Sequence, residues 1–443
     1  MNRDPDLPEG WVTKPLGEAA RLVKDKVDPT KVPNEFYVGL EHVEAGSMRL
    51  LGHGRGADVK STKAAFRAGD VLYGKLRPYL NKVTRPPFDG ICSTDFLVFG
   101  ESDELDRSYL AQYLNQLSVA NYAHYLSAGV ELPRVDWKSL STLPISFPAS
   151  KSDQRAIVAR IEKARALATR ADGHLGNVRM AIDRFRRAVL VAACSGRLTD
   201  GWRSEHPGAA PTLPSEDLRH KRRGSGQQEP LDLLLPDLPE SYALSTVGDA
   251  AIVLEYGTSK KGYSDPYGVP VLRMGNIQDG KLDISDLKFS ESDAEIERLI
   301  LKDGDLLFNR TNSPELVGKS AVFHGRERMS FASYLIRVRF APNVADPDFV
   351  NLWINSAWGR IWARQVKTDG VSQSNINGTK LGAMPLPLPP LAEQIEIVAR
   401  SAKILESADR LIERADWGGR TLDRAAQAVL AKAFRGDLTG VAV

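Results

Sequence analysis

Ala188-Val189-Leu190, with Gly196 and Leu198-Thr199 behind it, returns 240 positions later as Ala428-Val429-Leu430, with Gly436 and Leu438-Thr439. Working back along the chain, Gln154 with Ile157-Val158-Ala159-Arg160 returns at the same displacement as Gln394 with Ile397-Val398-Ala399-Arg400. Tyr109-Leu110 and Tyr113-Leu114-Asn115 return as Phe349-Val350 and Trp353-Ile354-Asn355, again by 240. Gly69-Asp70-Val71-Leu72-Tyr73 returns as Gly304-Asp305-Leu306-Leu307-Phe308, displaced by 235. Leu7-Pro8-Glu9 and Leu16-Gly17-Glu18-Ala19-Ala20 return as Leu238-Pro239-Glu240 and Val247-Gly248-Asp249-Ala250-Ala251, displaced by 231. A displacement that climbs and then holds constant is the mark of one domain present twice, with a few loops of unequal length.

The 443 residues are enough for two or three domains. An apolar fraction of 42% and a charged fraction of 26% are those of an ordinary soluble protein. No stretch approaches the ~18 uninterrupted apolar residues of a membrane span. Met1-Asn2-Arg3-Asp4-Pro5-Asp6 has no apolar core and does not fit a signal peptide. Two cysteines, Cys92 and Cys194, rule out a disulfide framework, and a cytoplasmic location is expected. A net charge of +3 is too small to argue for nucleic acid on its own. Any DNA contact has to come from basic residues placed locally, or from a partner that adds to the field.

Each copy has two unlike parts. The first, 7–150 and 238–390, mixes short strands with turns. Val71-Leu72-Tyr73 and Leu306-Leu307-Phe308 follow Gly-Asp turns and read as buried strands, as do Phe96 to Phe99 and Leu335 to Phe340. A helix is expected after each, near 106–117 and 347–358. Proline-spaced segments, Leu143 to Pro148 and Met384 to Pro390, are expected to stop regular structure and make a stiff exit.

The second part of each copy is helical. Ile157, Ile161, Ala164, Ala168, Ala171, Leu175, Val178, Ile182, Phe185, Val189 and Ala192 recur at alternating steps of three and four, the spacing of a coiled-coil seam. Val398, Leu405, Ala408, Ile412, Ala415, Leu422, Ala426, Val429 and Ala433 form a similar register. Gly173, Gly176, Gly418 and Gly419 lie inside these segments and are candidate breaks, whereas Gly196 and Gly436 are the expected stops. A stripe of this kind needs a partner helix, and the other copy supplies one. Packed antiparallel, helices of roughly 60 Å at ~1.5 Å per residue would act as rods that hold the two globular parts apart.

The expected architecture is therefore a mixed α/β (α+β) chain: two duplicated globular domains separated by long antiparallel coiled-coil helices, with pseudo-twofold symmetry. The divisions are 1–150, a helical region 151–199, a linker 200–237, 238–390, and a second helical region 391–443. The linker carries the basic run His220-Lys221-Arg222-Arg223, read as solvated charge. Duplex DNA shares the twofold symmetry, so two readers facing opposite ways could each address a half-site.

The segment Pro385 to Gln394 running into Ile397-Val398-Ala399, together with Ala428 to Thr439 and its twin Ala188 to Thr199, resembles the conserved helices of type I restriction-modification specificity (S) subunits. Leu7-Pro8-Glu9-Gly10-Trp11 and Gly69 to Pro78 resemble that family's target-recognition domains. The likeness runs over almost the whole chain, in order and in duplicate. It implies two target-recognition domains, each reading half of a split site in double-stranded DNA. It further implies helices that set the spacer and dock two modification (methyltransferase) subunits, with restriction (translocase-nuclease) subunits completing the complex. It implies no catalysis and no cofactor in this chain, S-adenosylmethionine being expected on the methyltransferase partners. The alternative is a duplicated protein-interaction scaffold with no DNA role.

No catalytic constellation competes with this. An adenine methyltransferase needs Asn or Asp ahead of Pro-Pro-aromatic, but here Arg85 precedes Pro86-Pro87-Phe88, and arginine only donates. Ser313 to Ser320 ends like a phosphate loop but lacks the leading glycine. The expected DNA-contacting residues lie in loops behind the matched strands. In the first copy they are Lys75, Arg77, Tyr79, Asn81, Lys82 and Arg134. In the second they are Arg310, Thr311, Asn312, Ser313, Gln373, Ser374, Asn375 and Asn377. Arg, Lys and Asn are the side chains that pair with base edges or grip phosphate. Gly129-Val130 and Gly370-Val371 align and then diverge, as two half-sites of different sequence would require.

Overall fold

The structure, a computed structural model, describes residues 7–129, 131–213 and 235–437. Val130 and the run His220 to Arg223 lie outside the described residues. Two compact units divide the chain: 1–176 with 416–443, and 177–415. No helix among the described residues is long and apolar enough to cross a membrane.

In the first unit a four-stranded antiparallel sheet runs in the order Arg21–Val23, Phe96–Gly100, Val71–Gly74, Val83–Thr84. The expected strands are adjacent, with Leu97 opposite Tyr73 and Val98 opposite Leu72. The Gly-Asp turn works because Gly69 takes φ +80, open to glycine at little cost, while the Asp70 carboxylate accepts the Arg67 N–H at 2.8 Å. The second unit repeats this: Gly304 has φ +82, Asp305 accepts from Lys302 N, and Leu306 lies opposite Val338. Its sheet order is Ala251–Tyr256, Leu335–Phe340, Asp305–Asn309, Ser320–Phe323. Each sheet leads into two helices, Arg107–Leu114 and Leu117–Tyr125, or Pro347–Asn355 and Ala357–Val366. Asp106 and Asp346 cap the first of each pair through two backbone N–H groups.

The proline-spaced exits are strands, contrary to expectation. Pro144–Pro148 pairs with Trp11–Pro15, and Pro385–Leu388 with Ala243–Thr246. Each is a two-stranded ribbon, where a proline can leave its missing N–H on the open edge.

The long helices Lys151–Cys194 and Leu391–Arg435 run unbroken through their glycines. One glycine costs about 1 kcal/mol relative to alanine, too little to break a helix held by flanking seam residues. Gly196 (φ +80) and Gly436 (φ +85) end them in the left-handed conformation, as expected. Within each unit the two helix segments run antiparallel. In the first, Leu175 lies beside Gly418, while Ile157 and Ile161 share one core with Leu430 and Phe434. In the second, Arg186 pairs with Asp409, and the Arg400 guanidinium donates to Leu198 O at 3.1 Å.

The seam differs from its expected course at two positions. Val178 and Phe185 are exposed, and Arg186 turns inward instead, because Asp409 waits across the interface to neutralise it. The 200–237 stretch opens with a helix, Asp200–Glu205. Arg203 of that helix, Thr199 and Tyr242 all donate to one oxygen of the buried Glu393 carboxylate, Thr199 at 2.7 Å and Tyr242 at 3.0 Å.

One device fastens each globular part to its helix. Gln154 is fully buried; its carbonyl oxygen accepts from Asp106 N at 2.8 Å, and its amide donates to Glu104 O and Pro148 O, each at 2.8 Å. Gln394 does the same with Asp346 N, Val344 O and Pro389 O.

Candidate nucleic-acid interface

In the first unit the strand Val71–Gly74 delivers Lys75, Leu76 and Arg77 to the segment just ahead of the helix Trp137–Leu140. Leu76 bridges Arg134, Arg77 N donates to Pro133 O at 2.7 Å, and Val135 N donates to Lys75 O at 3.1 Å. The fold thereby joins two stretches that are about 60 residues apart in sequence. The Arg77 backbone is left-handed (φ +50), an uncommon state for a residue with a side chain, and it aims the chain outward. Its guanidinium has no side-chain partner among the described residues. Arg134 pairs with Asp95 at 2.8 Å and is half exposed. Burial pulls the Lys75 amine below its ordinary value, and the Asp95 carboxylate opposes that pull. Tyr79 is 48% exposed, its ring edge-on to His124 at 5.3 Å.

Two of the expected contacts are occupied internally. Asn81 is 4% exposed and its amide donates to Asn115 O at 2.7 Å, so it holds the turn rather than facing solvent. The Lys82 amine donates to Leu40 O at 2.7 Å.

In the second unit the strand Asp305–Asn309 delivers Arg310 to the matching place. Thr311–Asn312 pairs with Ser374–Asn375, which pairs in turn with Thr368–Asp369. Arg310 lies over the Tyr256 ring at 4.9 Å and donates to Ser333 O at 3.2 Å and to the Asn375 side-chain oxygen at 3.3 Å. Asn375 donates onward to the Thr311 hydroxyl at 2.8 Å. Ser374 is buried and bonded to Asp369, whose carboxyl is held below its usual range by hydrogen bonds from Lys367 and Ser374. Asn377 caps the helix Gly378–Gly382. Asn312 accepts from Ser313 N at 2.8 Å. Gln373 and Asn377 are exposed, and Thr311, Asn312 and Ser313 are half-buried.

Sequence reasoning missed Asp95, which steers Lys75 and Arg134, and Tyr256, whose ring lies under Arg310 and whose hydroxyl accepts from Gly378 N at 2.7 Å. Neither belongs to a repeated motif, so no internal signal marked them. Among the described residues no group of three or more His, Cys, Asp or Glu side chains forms a metal-ligand set.

No protein-family model matches the chain. It is 26% identical over 357 residues to the Type I restriction enzyme EcoKI specificity subunit of Escherichia coli (strain K12), covering 80% of this chain and 68% of that one. It is 28% identical over 205 residues to the EcoDI specificity subunit of Escherichia coli, covering 46% of each. Relative to this second protein, then, the match spans less than half its length. A solved chain of a type I R-M system superposes with a TM-score of 0.70 at 22% identity, covering 98% of this chain and 99% of that one, which establishes the common fold. In sequence this chain is similar to type I restriction enzyme specificity subunits, and it shares the fold of a solved chain of a type I R-M system.

Proposed function

We propose that the chain is the DNA-specificity subunit of a type I restriction-modification complex. Each globular part reads one half of a bipartite duplex site. The long helices set the spacer between the halves and dock two modification (methyltransferase) subunits, to which restriction (translocase-nuclease) subunits are added. S-adenosylmethionine is held by the methyltransferase partners. This chain contributes recognition and no bond-making step.

The observation that carries the reading is the pair of matched faces. In both units a strand following a Gly-Asp turn delivers its last residues to the segment ahead of a short helix, and the side chains presented there differ. One scaffold with two chemistries is what two unlike half-sites require. The test is to assemble the protein with its methyltransferase partners and map the protected and methylated site. Replacing residues 7–150 by the equivalent part of a relative should change one half of that site and leave the other. A change in both halves, or in neither, would overturn the two-reader model.

A further inference from the structure

Besides the Gln394 fastening, the second unit holds its globular part on the helix pair through two unlike contacts at two places. At one, the contact is apolar: Ala193, Cys194 and Ile397 of the helices share one buried core with Phe349, Trp353, Leu386 and Leu388. About 18 Å further along the second helix, at ~1.5 Å per residue, the contact is ionic. There the Asp409 carboxylate receives the Lys281 amine at 2.7 Å and the Arg186 guanidinium of the first helix. Lys281 sits on a hairpin, Ile277–Gln278 with Lys281–Leu282, that projects from the globular part.

A cavity of about 1690 Å³ lies beside these contacts. Leu190 and Leu405 line it from the helices, and Leu282, Phe323, Leu352 and Ile361 from the globular part. It is open to solvent, a groove rather than an interior void, so along it the facing surfaces of helix and globular part lack the close contacts that would lock them. Lys281 is 72% exposed in its side chain, so salt and solvent reach the ion pair. Among the described residues of the first unit, no ion triad of this kind is found where the turn meets the helix. Thr169 stands 240 positions before Asp409, and the Val43–Leu50 turn, the counterpart of the hairpin, meets the helix through an Arg165–Met48 sulfur contact at 3.8 Å while its Arg49 pairs with Glu44.

We propose that Lys281, Asp409 and Arg186 form a releasable clamp. It fixes the tilt of the second globular part on its helix pair, with the apolar core at Ala193, Cys194 and Ile397 as the hinge. Lys281 and Asp409 are thus positioning residues. They set where the second reader meets DNA without touching a base. The consequence for DNA rests on the function proposed above; the clamp itself does not.

The test uses the full chain with spin labels at Tyr267→Cys and Leu411→Cys, both exposed positions in this unit, the native cysteines being buried. Lys281→Met keeps the length of the side chain and removes its charge, and should broaden and shift the distance distribution. Lys281→Arg should restore the wild-type distribution, and 1 M salt should broaden the wild type as the Met variant does. A Lys281→Met distribution that superimposes on the wild type overturns the clamp, whatever the chain binds. In the complex with methyltransferase partners, unlabelled Lys281→Met should lose about three- to fivefold of its preference for the native spacer over one longer or shorter by a base pair. Its base preferences in either half-site should be unchanged. If the distribution broadens and no bipartite DNA site is found, the clamp stands and the proposed function fails.

Discussion

At equivalent places on the two scaffolds, Lys75 and Arg134 in the first unit stand where Arg310 and Asn375 stand in the second. The first face is cationic and loosely held: Arg77 points outward unpaired among the described residues, and Arg134 leans on Asp95. The second is a closed network of amides, hydroxyls and a stacked arginine. A loosely held cation suits phosphate or guanine, whereas a preorganised array of donors and acceptors suits base edges with little charge. Two duplicated domains can therefore share the glutamine fastening and still differ in how salt affects their grip.

The comparison breaks first if the fastenings are not equivalent. Gln154→Met and Gln394→Met each leave one backbone N–H and two carbonyls buried without partners. Each should cost its own unit about 2–4 kcal/mol. Hydrogen exchange should show lost protection at the Asp106 amide in one variant and at Asp346 in the other. A loss in only one unit would show that the repeated glutamines no longer do the same work.

It sharpens next at the faces. Arg77→Ala should weaken DNA binding on all sequences and lower the salt slope by about one phosphate contact. Arg134→Ala should cost about 1–3 kcal/mol at a base position in one half-site, and it leaves Asp95 without its arginine. Gln373→Ala, in the other unit, should affect the other half-site and leave the salt slope where it was. Binding titrations over a range of salt concentrations separate these outcomes, and a flattened slope for the glutamine variant would erase the contrast.

A smaller asymmetry is tied to pH. Burial alone would lower the His324 pKa, but the Asp348 carboxylate at 2.9 Å and Asp303 at 3.6 Å outweigh it and raise the group above its ordinary 6.5. A raised folded value means the contribution is fully present below the unfolded pKa and is lost as pH rises through the folded one. The ring is more than half exposed, so the effect is modest. Thermal melts of the wild type should lose this increment as the pH rises above 6.5, and Asp348→Asn should remove most of the dependence.

Much of this was legible because repetition filters a sequence. Gln154 and Gln394, the Gly-Asp turns and Gly196 with Gly436 recur because backbone geometry and buried polar groups accept few substitutes. What was illegible depends on neighbours that periodicity cannot name. Phe185 and Arg186 both suit a three-four spacing, and Asp409 across the interface decides between them. Tyr256 lies under Arg310 because Ala251–Tyr256 is six residues long where its counterpart Arg21–Val23 has three. Prolines marked a break in the pattern but not that an edge strand would absorb them.

The smallest expected effect tests the line between a DNA contact and a fastening. Lys82 follows Arg77 and Tyr79 in sequence and reads as one more phosphate contact, yet its amine is committed to Leu40 O. That bond ties the turn after the central strand to the Leu40–His42 turn, a neighbour of the small five-stranded sheet. Lys82→Met should leave the salt slope of DNA binding unchanged, where Arg77→Ala lowers it. Its cost should appear as faster hydrogen exchange around Leu40, since a half-buried carbonyl loses its donor. If Lys82→Met lowers the slope as much as Arg77→Ala does, the amine leaves Leu40 for phosphate when DNA arrives. The first face would then be more cationic, and its difference from the second larger, than the free chain displays.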